Sequence, residues 1–290
     1  MHISDALARF ETQLEADGRS IHTRRQVRRH GLALALWGAG ERLSGQVEHL
    51  THEHLASFFT SSLANTRPDG TRKKATSMNA MRSSLRSLFR YLHEAGLLAS
   101  NPTRLLKQAI TTPPPPRALT EQEEERLLAV LDRANGVQEK RDAVLFRVLL
   151  GTGLRLSSAL ALDIEDVDLD EGVMTVWMKR DRIEQVYVGS SVREELRVFI
   201  GDRKSGPLFA SQSGRRISTR HAQRRFGALR ERAGLPATVS PHSLRHTMAT
   251  RLLERTQDIT LVQAALGHCS IASTLIYARI DHRRLREALA

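Results

Sequence analysis

The residues best suited to chemistry lie in one short stretch late in the sequence, where two histidines flank an arginine. Pro241 precedes His242, Arg245 and His246, and proline suits the first turn of a helix because its missing N–H costs nothing there. Side chains three and four positions apart on a helix share a face, so these three are expected to lie side by side. Arginine presents a planar fork that binds phosphate oxygens two at a time. The stretch therefore predicts a compact polar site near the start of a helix.

Other kinds of site fit this stretch less well. His242 and His246 could bind zinc as a pair, but the glutamate of a His-Glu-x-x-His motif and a third ligand are both missing. His242 alone would more often be a capping or core histidine. The sequence also has no glycine loop ending in Gly-Lys-Ser/Thr and no Gly-x-Ser-x-Gly motif. The carboxylates between Asp163 and Asp170 fall where a polar connection from a helix to a strand is expected, so we predict no metal site.

Four further features follow in a fixed order along the second half of the chain. An arginine follows a Gly-Leu turn in Gly153-Leu154-Arg155, and Lys179 lies where the pattern predicts a β-hairpin. Residues 266–268 are Leu-Gly-His, and Tyr277 follows nine residues after the histidine. Together with the His-x-x-Arg-His box of residues 242–246, this order and spacing resembles the tyrosine recombinase family, the phage-integrase and Xer-type DNA recombinases. Each match alone is weak, but five in the same order are a specific signal.

The resemblance implies a reaction at a DNA phosphodiester that needs no metal and no cofactor. Tyr277 would attack the scissile phosphorus, which leaves a 3′-phosphotyrosyl link and a free 5′-hydroxyl. Arg155 and Arg245 would hold the non-bridging oxygens, and Lys179 would protonate the leaving 5′-oxygen. His242 would accept the tyrosine proton, and the histidine of the Leu-Gly-His turn would donate a hydrogen bond to the phosphate. The expected catalytic residues are Arg155, Lys179, His242, Arg245, His268 and Tyr277.

Two positions depart from the usual family pattern. Ser158 stands three positions after the first arginine, where members often carry an acidic residue. Met178 and Arg180 flank Lys179, where glycines are common. Lys179 is still the best match for the hairpin lysine, because the other two lysines of residues 118–290, Lys140 and Lys204, lie outside the predicted hairpin.

The elements that must position these residues fall into two segments around four consecutive prolines, residues 113–116. Proline cannot continue a helix or donate to a sheet, so residues 111–117 are predicted to form a short extended linker. We expect a helical DNA core-binding domain over residues 1–110, and a catalytic domain with a C-terminal tail over residues 118–290. The first domain is predicted to contain helices near 4–16, 21–36, 51–63 and 76–95. Ser4 is the predicted cap of the first helix, and the last has apolar residues at the helical spacing of a core face: Met78, Met81, Leu85, Leu88, Phe89 and Leu92. The second domain is predicted to contain helices near 120–133, 139–150, 156–162, 192–200, 218–233, 242–256, 259–266, 271–279 and 283–289, with a hairpin of strands 172–178 and 184–188. A capping box at Thr120 and Glu123 predicts the start of the first of these helices, and Gly151-Thr152-Gly153 predicts the end of the second. The predicted fold is mostly α with one small antiparallel sheet.

The charge balance indicates a polyanionic partner. The chain has 44 Lys and Arg against 32 Asp and Glu, a formal charge of +12, and 38 of the 44 are arginine. A GC-rich coding sequence would also favour arginine. The excess of +8 in residues 1–117, from 17 basic and 9 acidic side chains, predicts that this segment contacts the DNA backbone, although charged helix residues are usually only solvated. The predicted contacts are Arg24, Arg25, Arg28, Arg29, Lys73, Lys74, Arg82, Arg86 and Arg90.

The expected partner is therefore double-stranded DNA, on which the family assembles homo- or hetero-tetramers across two sites. The tail beyond Tyr277 is expected either to dock on a neighbouring subunit or to fold back on its own domain. Two other functions keep the same features: a type IB topoisomerase-like relaxing enzyme, and a non-catalytic DNA-binding protein of the same fold. With no apolar run near 20 residues and no export signal at the N-terminus, we expect a cytoplasmic, nucleoid-associated protein without a membrane contact.

Overall fold

A computed structural model describes residues 1–111, 117–177 and 183–267. The chain divides into two compact units, Met1–Pro113 and Pro114–Ala290, each with its own hydrophobic core. Most of the predicted proline linker, the tip of the predicted hairpin and the two helices predicted after residue 270 lie outside the described residues. Within the described parts, no helix is both long enough and apolar enough to cross a membrane.

The N-terminal unit is built from helices whose apolar faces meet in one core. These are α1 (Ile3–Ala16), α2 (Ile21–Gly40), α3 (His52–Thr60), α4 (Ser62–Asn65) and α5 (Ala75–Glu94), with a 3-10 turn at Val47–His49. The helical spacing of apolar residues in α5 predicted its core face correctly: Met78, Met81, Leu85, Leu88, Phe89 and Leu92 are all buried.

Two local details differ from the sequence prediction. The predicted third helix is interrupted at Ser61, whose backbone is extended and whose hydroxyl accepts the Ala64 N–H at 3.4 Å, so that α4 begins as a separate short helix. Helix α1 is capped by His2 instead of Ser4, because the His2 imidazole accepts the Ser4 N–H.

The C-terminal unit is mainly helical. Its helices are α6 (Glu121–Asp132), α7 (Val137–Thr152), α8 (Leu156–Ala161), α9 (Ser190–Ile200), α10 (Thr219–Arg232), α11 (Pro241–Thr256) and α12 (Ile259–Ala265). The capping box predicted at Thr120 is present at the start of α6. Helix α7 runs through the middle of the core and packs against α11 and α9.

A small antiparallel sheet joins these helices, and its described strands are β1 (Val167–Asp168), β2 (Val173–Trp177) and β3 (Ile183–Tyr187) in the order β1-β2-β3. The predicted hairpin corresponds to β2 and β3. The short strand β1 lies in the acidic run that the sequence indicated as a connection. The sequence did not predict this strand, because two residues are too few to form a periodic pattern. The predicted fold class, mostly α with one small antiparallel sheet, is confirmed.

Candidate active site

Arg155 is presented by a tight turn between α7 and α8. Helix α7 ends at Gly153, which has a φ of +67°. This backbone conformation would strain any other side chain, and the Met248 methyl group would have to move to make room for one, so the turn favours glycine. Leu154 is buried, and Arg155 follows it as the exposed N-cap residue of α8. The Gly-Leu-Arg sequence therefore buries the leucine and places the guanidinium at the surface.

Arg245 lies beneath this turn and is only 3% exposed. Its Nη1 donates to the Gly153 carbonyl at 2.5 Å, and its Nη2 donates to the Leu266 carbonyl at 2.8 Å. Gly267, which follows at the end of α12, has a φ of +58° and so continues the turn that leads to residue 268. One guanidinium on α11 thus holds both the turn before Arg155 and the turn before the predicted histidine.

His242 and His246 lie one helical turn apart at the start of α11, and their rings make an edge-to-face contact with centroids 4.4 Å apart. Burial lowers the pKa of His242, and the charges of Arg245 and Arg155 lower it further. Burial, His242 and Arg245 together lower the pKa of His246 to about 4. Both imidazoles are therefore uncharged at neutral pH, and His242 is able to accept a proton.

The structure brings together three of the six predicted catalytic residues. Arg155, His242 and Arg245 belong to one site, because Arg245 bonds the turn that carries Arg155 and both arginines act electrostatically on His242. Lys179, His268 and Tyr277, the other predicted catalytic residues, lie outside the described residues.

Ser158, which stands where family members often carry an acidic residue, lies close to Arg155 in the structure. Ser158 is half-buried in the first turn of α8, and its N–H bonds the Arg155 carbonyl at 2.9 Å. Within the described ranges, no carboxylate forms an ion pair with Arg155. In the same ranges, no three His, Cys, Asp or Glu side chains come close enough together to hold a metal ion.

Four of the nine predicted DNA contacts are engaged inside the N-terminal unit. Arg24 and Arg28 on α2 pair with Glu15 and Glu11 of α1 at 2.6 and 2.9 Å. The half-buried Lys73 ammonium donates to the Ala64 carbonyl at 2.7 Å and to the Leu63 carbonyl at 3.3 Å, and burial lowers the pKa of Lys73. Arg82 stacks on the Phe59 ring at 5.0 Å from its centroid.

The other five, Arg25, Arg29, Lys74, Arg86 and Arg90, are exposed. Arg86 and Arg90 border a polar groove of about 830 Å³ between α5 and the segment that follows it. Arg104 and His93 also line this groove, and Arg104 was missed by the sequence analysis. Asn101 turns the chain there, because its side-chain oxygen accepts the Thr103 N–H at 2.9 Å. The Asn-Pro-Thr sequence before Arg104 was the signal that could have predicted this turn.

The family assignment follows from sequence comparison. The profile of the phage integrase family matches residues 117–284, which is more than half of the chain. The chain belongs to this family. The profile of the N-terminal SAM-like domain of phage integrases matches residues 7–96.

Several relatives of this chain are named tyrosine recombinases. The tyrosine recombinase XerC of Vibrio cholerae is 32% identical over 220 residues, which cover 74% of this chain and 70% of that protein. XerC of Salmonella typhi is 35% identical over 210 residues, which cover 70% of this chain and 69% of that protein. This member of the phage integrase family is therefore a site-specific tyrosine recombinase, an enzyme that transfers DNA strands.

Solved structures show the same fold. The XerH recombinase bound to its difH substrate before cleavage superposes with a TM-score of 0.74 at 24% identity, over 97% of this chain and 84% of that one. The Tn1549 transposon integrase in complex with a circular intermediate DNA superposes with a TM-score of 0.76 at 22% identity, over the full length of both chains. The predicted tyrosine recombinase fold is confirmed.

Proposed function

We propose that this recombinase cleaves and rejoins double-stranded DNA with Tyr277 as the nucleophile and with Arg155, Lys179, His242, Arg245 and His268 as its catalytic partners. The observation that carries this proposal is the pair of hydrogen bonds from Arg245. They hold the turn before Arg155 and the turn before residue 268 to the helix that bears His242. Three matched positions of the family pattern are thereby supported by contacts among the described residues.

Two arginines suit the phosphate chemistry for a physical reason. Negative charge grows on the non-bridging oxygens as the nucleophile adds, and donors that are already oriented stabilise it without a reorganisation cost. Arg245 is oriented by two backbone carbonyls, which fix its plane and contribute no negative charge. Arg155 is exposed and available to a phosphate at the surface. We propose that the two guanidinium groups hold the scissile phosphate between them.

The electrostatics around His242 suit a proton acceptor. A tyrosine hydroxyl has an ordinary pKa near 10, so its attack needs a base or a positive field. The lowered pKa of His242 keeps its imidazole uncharged at neutral pH, and the neighbouring arginines supply the field. In this proposal His242 accepts the Tyr277 proton, Lys179 gives a proton to the leaving 5′-oxygen and His268 donates a hydrogen bond to the phosphate.

DNA binding is proposed for the N-terminal unit as a core-binding domain over residues 1–110, joined by a linker at 111–117 to a catalytic domain at 118–290. The charge of its segment and the groove bordered by Arg86, Arg90 and Arg104 support contact with DNA phosphates. Arg25, Arg29 and Lys74 would extend this contact.

Assembly is proposed by analogy with the similar recombinases. A lambda integrase dimer has been solved on a core site, and XerH on difH. We propose that this chain forms a homo- or hetero-tetramer on two DNA sites, in the cytoplasm and in association with the nucleoid. The tail beyond Tyr277 would either dock on a neighbouring subunit or fold back on its own domain.

A covalent-adduct assay tests the proposed nucleophile. Wild-type protein should form a protein–DNA adduct on a nicked suicide substrate, from which the cleaved fragment diffuses away, and Tyr277→Phe should form none. Tyr187→Phe is the matched control, because Tyr187 is an exposed tyrosine on β3, and it should form the adduct at the wild-type rate. An adduct that persists in Tyr277→Phe would reject the assignment.

A further inference from the structure

We infer that His246 is a positioning residue for the reaction: its ring contacts the ring of His242 and holds that imidazole in the orientation from which it acts. The inference rests on the proposed role of His242 as the proton acceptor. It concerns a residue that neither the phosphate contacts nor the proton transfers of the proposed mechanism use.

The contact is close and has a defined geometry. The ring centroids of His242 and His246 are 4.4 Å apart and the ring planes are inclined by 77°, an edge-to-face arrangement. The two residues are four positions apart on α11, where side chains lie one above the other. The backbone of α11 therefore fixes the spacing of the rings, and their contact restricts the torsion angles of each.

The two rings differ in solvent exposure, and the less exposed one is better placed to act as the support. Both rings are partly buried, but His242 on the first turn of the helix keeps more of its surface exposed than the half-buried His246. His246 also follows Arg245 directly, and Arg245 is fixed by its bonds to the Gly153 and Leu266 carbonyls. An exposed imidazole without a neighbour would sample several orientations. The better-packed ring of His246 removes some of that freedom.

The support adds no charge to the site. The pKa of His246 is lowered to about 4, so its ring is neutral across the range in which DNA cleavage is assayed. Within the described residues, the charged groups that act on His242 are Arg245 on its own helix and Arg155 at the start of α8. A cationic side chain at position 246 would add a third positive charge beside the proton acceptor, whereas a neutral ring excludes water from one face of it.

The test replaces the ring of His246 and follows the pH profile of adduct formation. His246→Phe keeps a ring, His246→Ala removes it, and His246→Gln removes it while keeping most of the volume. Thr250→Ala is the matched control, because Thr250 lies one turn further along α11, away from His242. Each variant is assayed as the full chain on the suicide substrate in single-turnover conditions at saturating enzyme, from pH 5 to pH 8. DNA affinity and the melting temperature are measured alongside.

We expect His246→Ala and His246→Gln to form adduct about 2- to 10-fold more slowly than wild type, the worth of one ring contact. The acid limb of their pH profile, where the rate falls as the pH is lowered, should move to higher pH. Water that reaches His242 would raise its pKa towards the ordinary value of about 6.5, so the neutral base would be protonated at a higher pH than in wild type. His246→Phe should restore both the rate and the acid limb. DNA affinity should be the same in all variants.

Three results would overturn the inference. The first is a wild-type rate in both ring-deleting variants. The second is an equal loss in His246→Phe and His246→Ala, which would mean that a ring at this position is not what matters. The third is a slower rate with an unmoved acid limb, which is the signature of a merely structural role. Absence of adduct in the wild type itself would instead reject the proposed function. Failure of His246→Ala to fold leaves His246→Gln and His246→Phe to decide the question.

Discussion

In the N-terminal unit the arginines of α2 and α5 lie along helix surfaces, whereas the C-terminal unit buries Arg245 beneath the turn that carries Arg155. The surface arginines that remain exposed, such as Arg86 and Arg90, border an open groove. Arg245 instead donates to two backbone carbonyls and is fixed in one orientation. The exposed arginines of the N-terminal unit are suited to attract a long polyanion. The fixed guanidinium of Arg245 is suited to contact one phosphate in a defined orientation. The contribution of an arginine in this molecule therefore depends on its surroundings more than on the net charge of the segment that contains it.

The largest expected effect is on the cleavage rate and comes from removing the hydrogen bonds that fix Arg245. Arg245→Lys keeps the positive charge but loses the planar fork that reaches two carbonyls, so the cleavage rate should fall by about 10²- to 10³-fold. Single-turnover adduct formation at saturating protein measures it. Arg255→Lys is the matched control, because Arg255 is exposed on the same helix, and it should cleave at the wild-type rate. A similar rate in Arg245→Lys and wild type would show that charge alone is sufficient at this position.

A smaller effect, on binding, is expected from the open groove. Arg86→Gln/Arg90→Gln removes two exposed cations, so DNA affinity should fall by about 10- to 100-fold at physiological salt and the slope of log K against log salt should become shallower by about 2. Fluorescence anisotropy across a salt series measures both.

The matched pair for that experiment is Arg24→Gln/Arg28→Gln, which removes equal charge from α2. Both of these arginines are already paired with carboxylates of α1, so the affinity and the salt slope should change less. Equal changes in the two double variants would mean that net charge, and not the location of the exposed arginines, determines DNA binding.

A separate effect concerns folding stability, not cleavage or DNA binding, and arises beneath the basic surface of the N-terminal unit. His30 of α2 is 5% exposed, and its Nδ1 lies at 2.8 Å, within hydrogen-bond distance, from the hydroxyl of Ser84, whose side chain also bonds the Ala80 carbonyl. Burial, with Arg29 and Lys73, lowers the pKa of His30 to about 4. Because the folded-state pKa lies below the ordinary 6.5, the stability that the neutral ring provides is complete above pH 6.5 and is lost as pH falls towards 4.

The loss should reach on the order of 2–3 kcal/mol in the free energy of unfolding between pH 6.5 and pH 4. Denaturant unfolding followed at several pH values measures it. His30→Gln has no titrating ring, so its stability should depend on pH less steeply over this range. An unchanged pH dependence in His30→Gln would show that His30 titrates normally in the folded protein.

Local signals in the sequence were sufficient for most elements. The apolar spacing of α5 predicted its buried face, the Thr120 capping box predicted the start of α6, and Gly153 predicted the end of α7. These features depend on residues close together in the chain. The break at Ser61 was missed because the apolar pattern continues across it, and only the cap geometry separates the two helices.

Contacts between distant residues were less predictable. Lys73 resembles the neighbouring cations in sequence, yet it donates to carbonyls at the end of α4. Arg104 belongs to the same groove as Arg90 only because the chain turns at Asn101. The His-x-x-Arg-His box predicted that His242 and Arg245 share a site, but the bonds from Arg245 to Gly153 and Leu266 depend on the tertiary fold. Lys179, His268 and Tyr277 stay predictions from the sequence.

The central claim is that the two sets of arginines control different steps, and one paired measurement tests it most directly. DNA affinity and the single-turnover cleavage rate at saturating protein are measured for Arg245→Lys and for Arg86→Gln/Arg90→Gln on the same suicide substrate. We expect the first variant to lose cleavage with little change in affinity, and the second to lose affinity while its cleavage rate at saturating protein stays near wild type. Loss of the same parameter in both variants would contradict it.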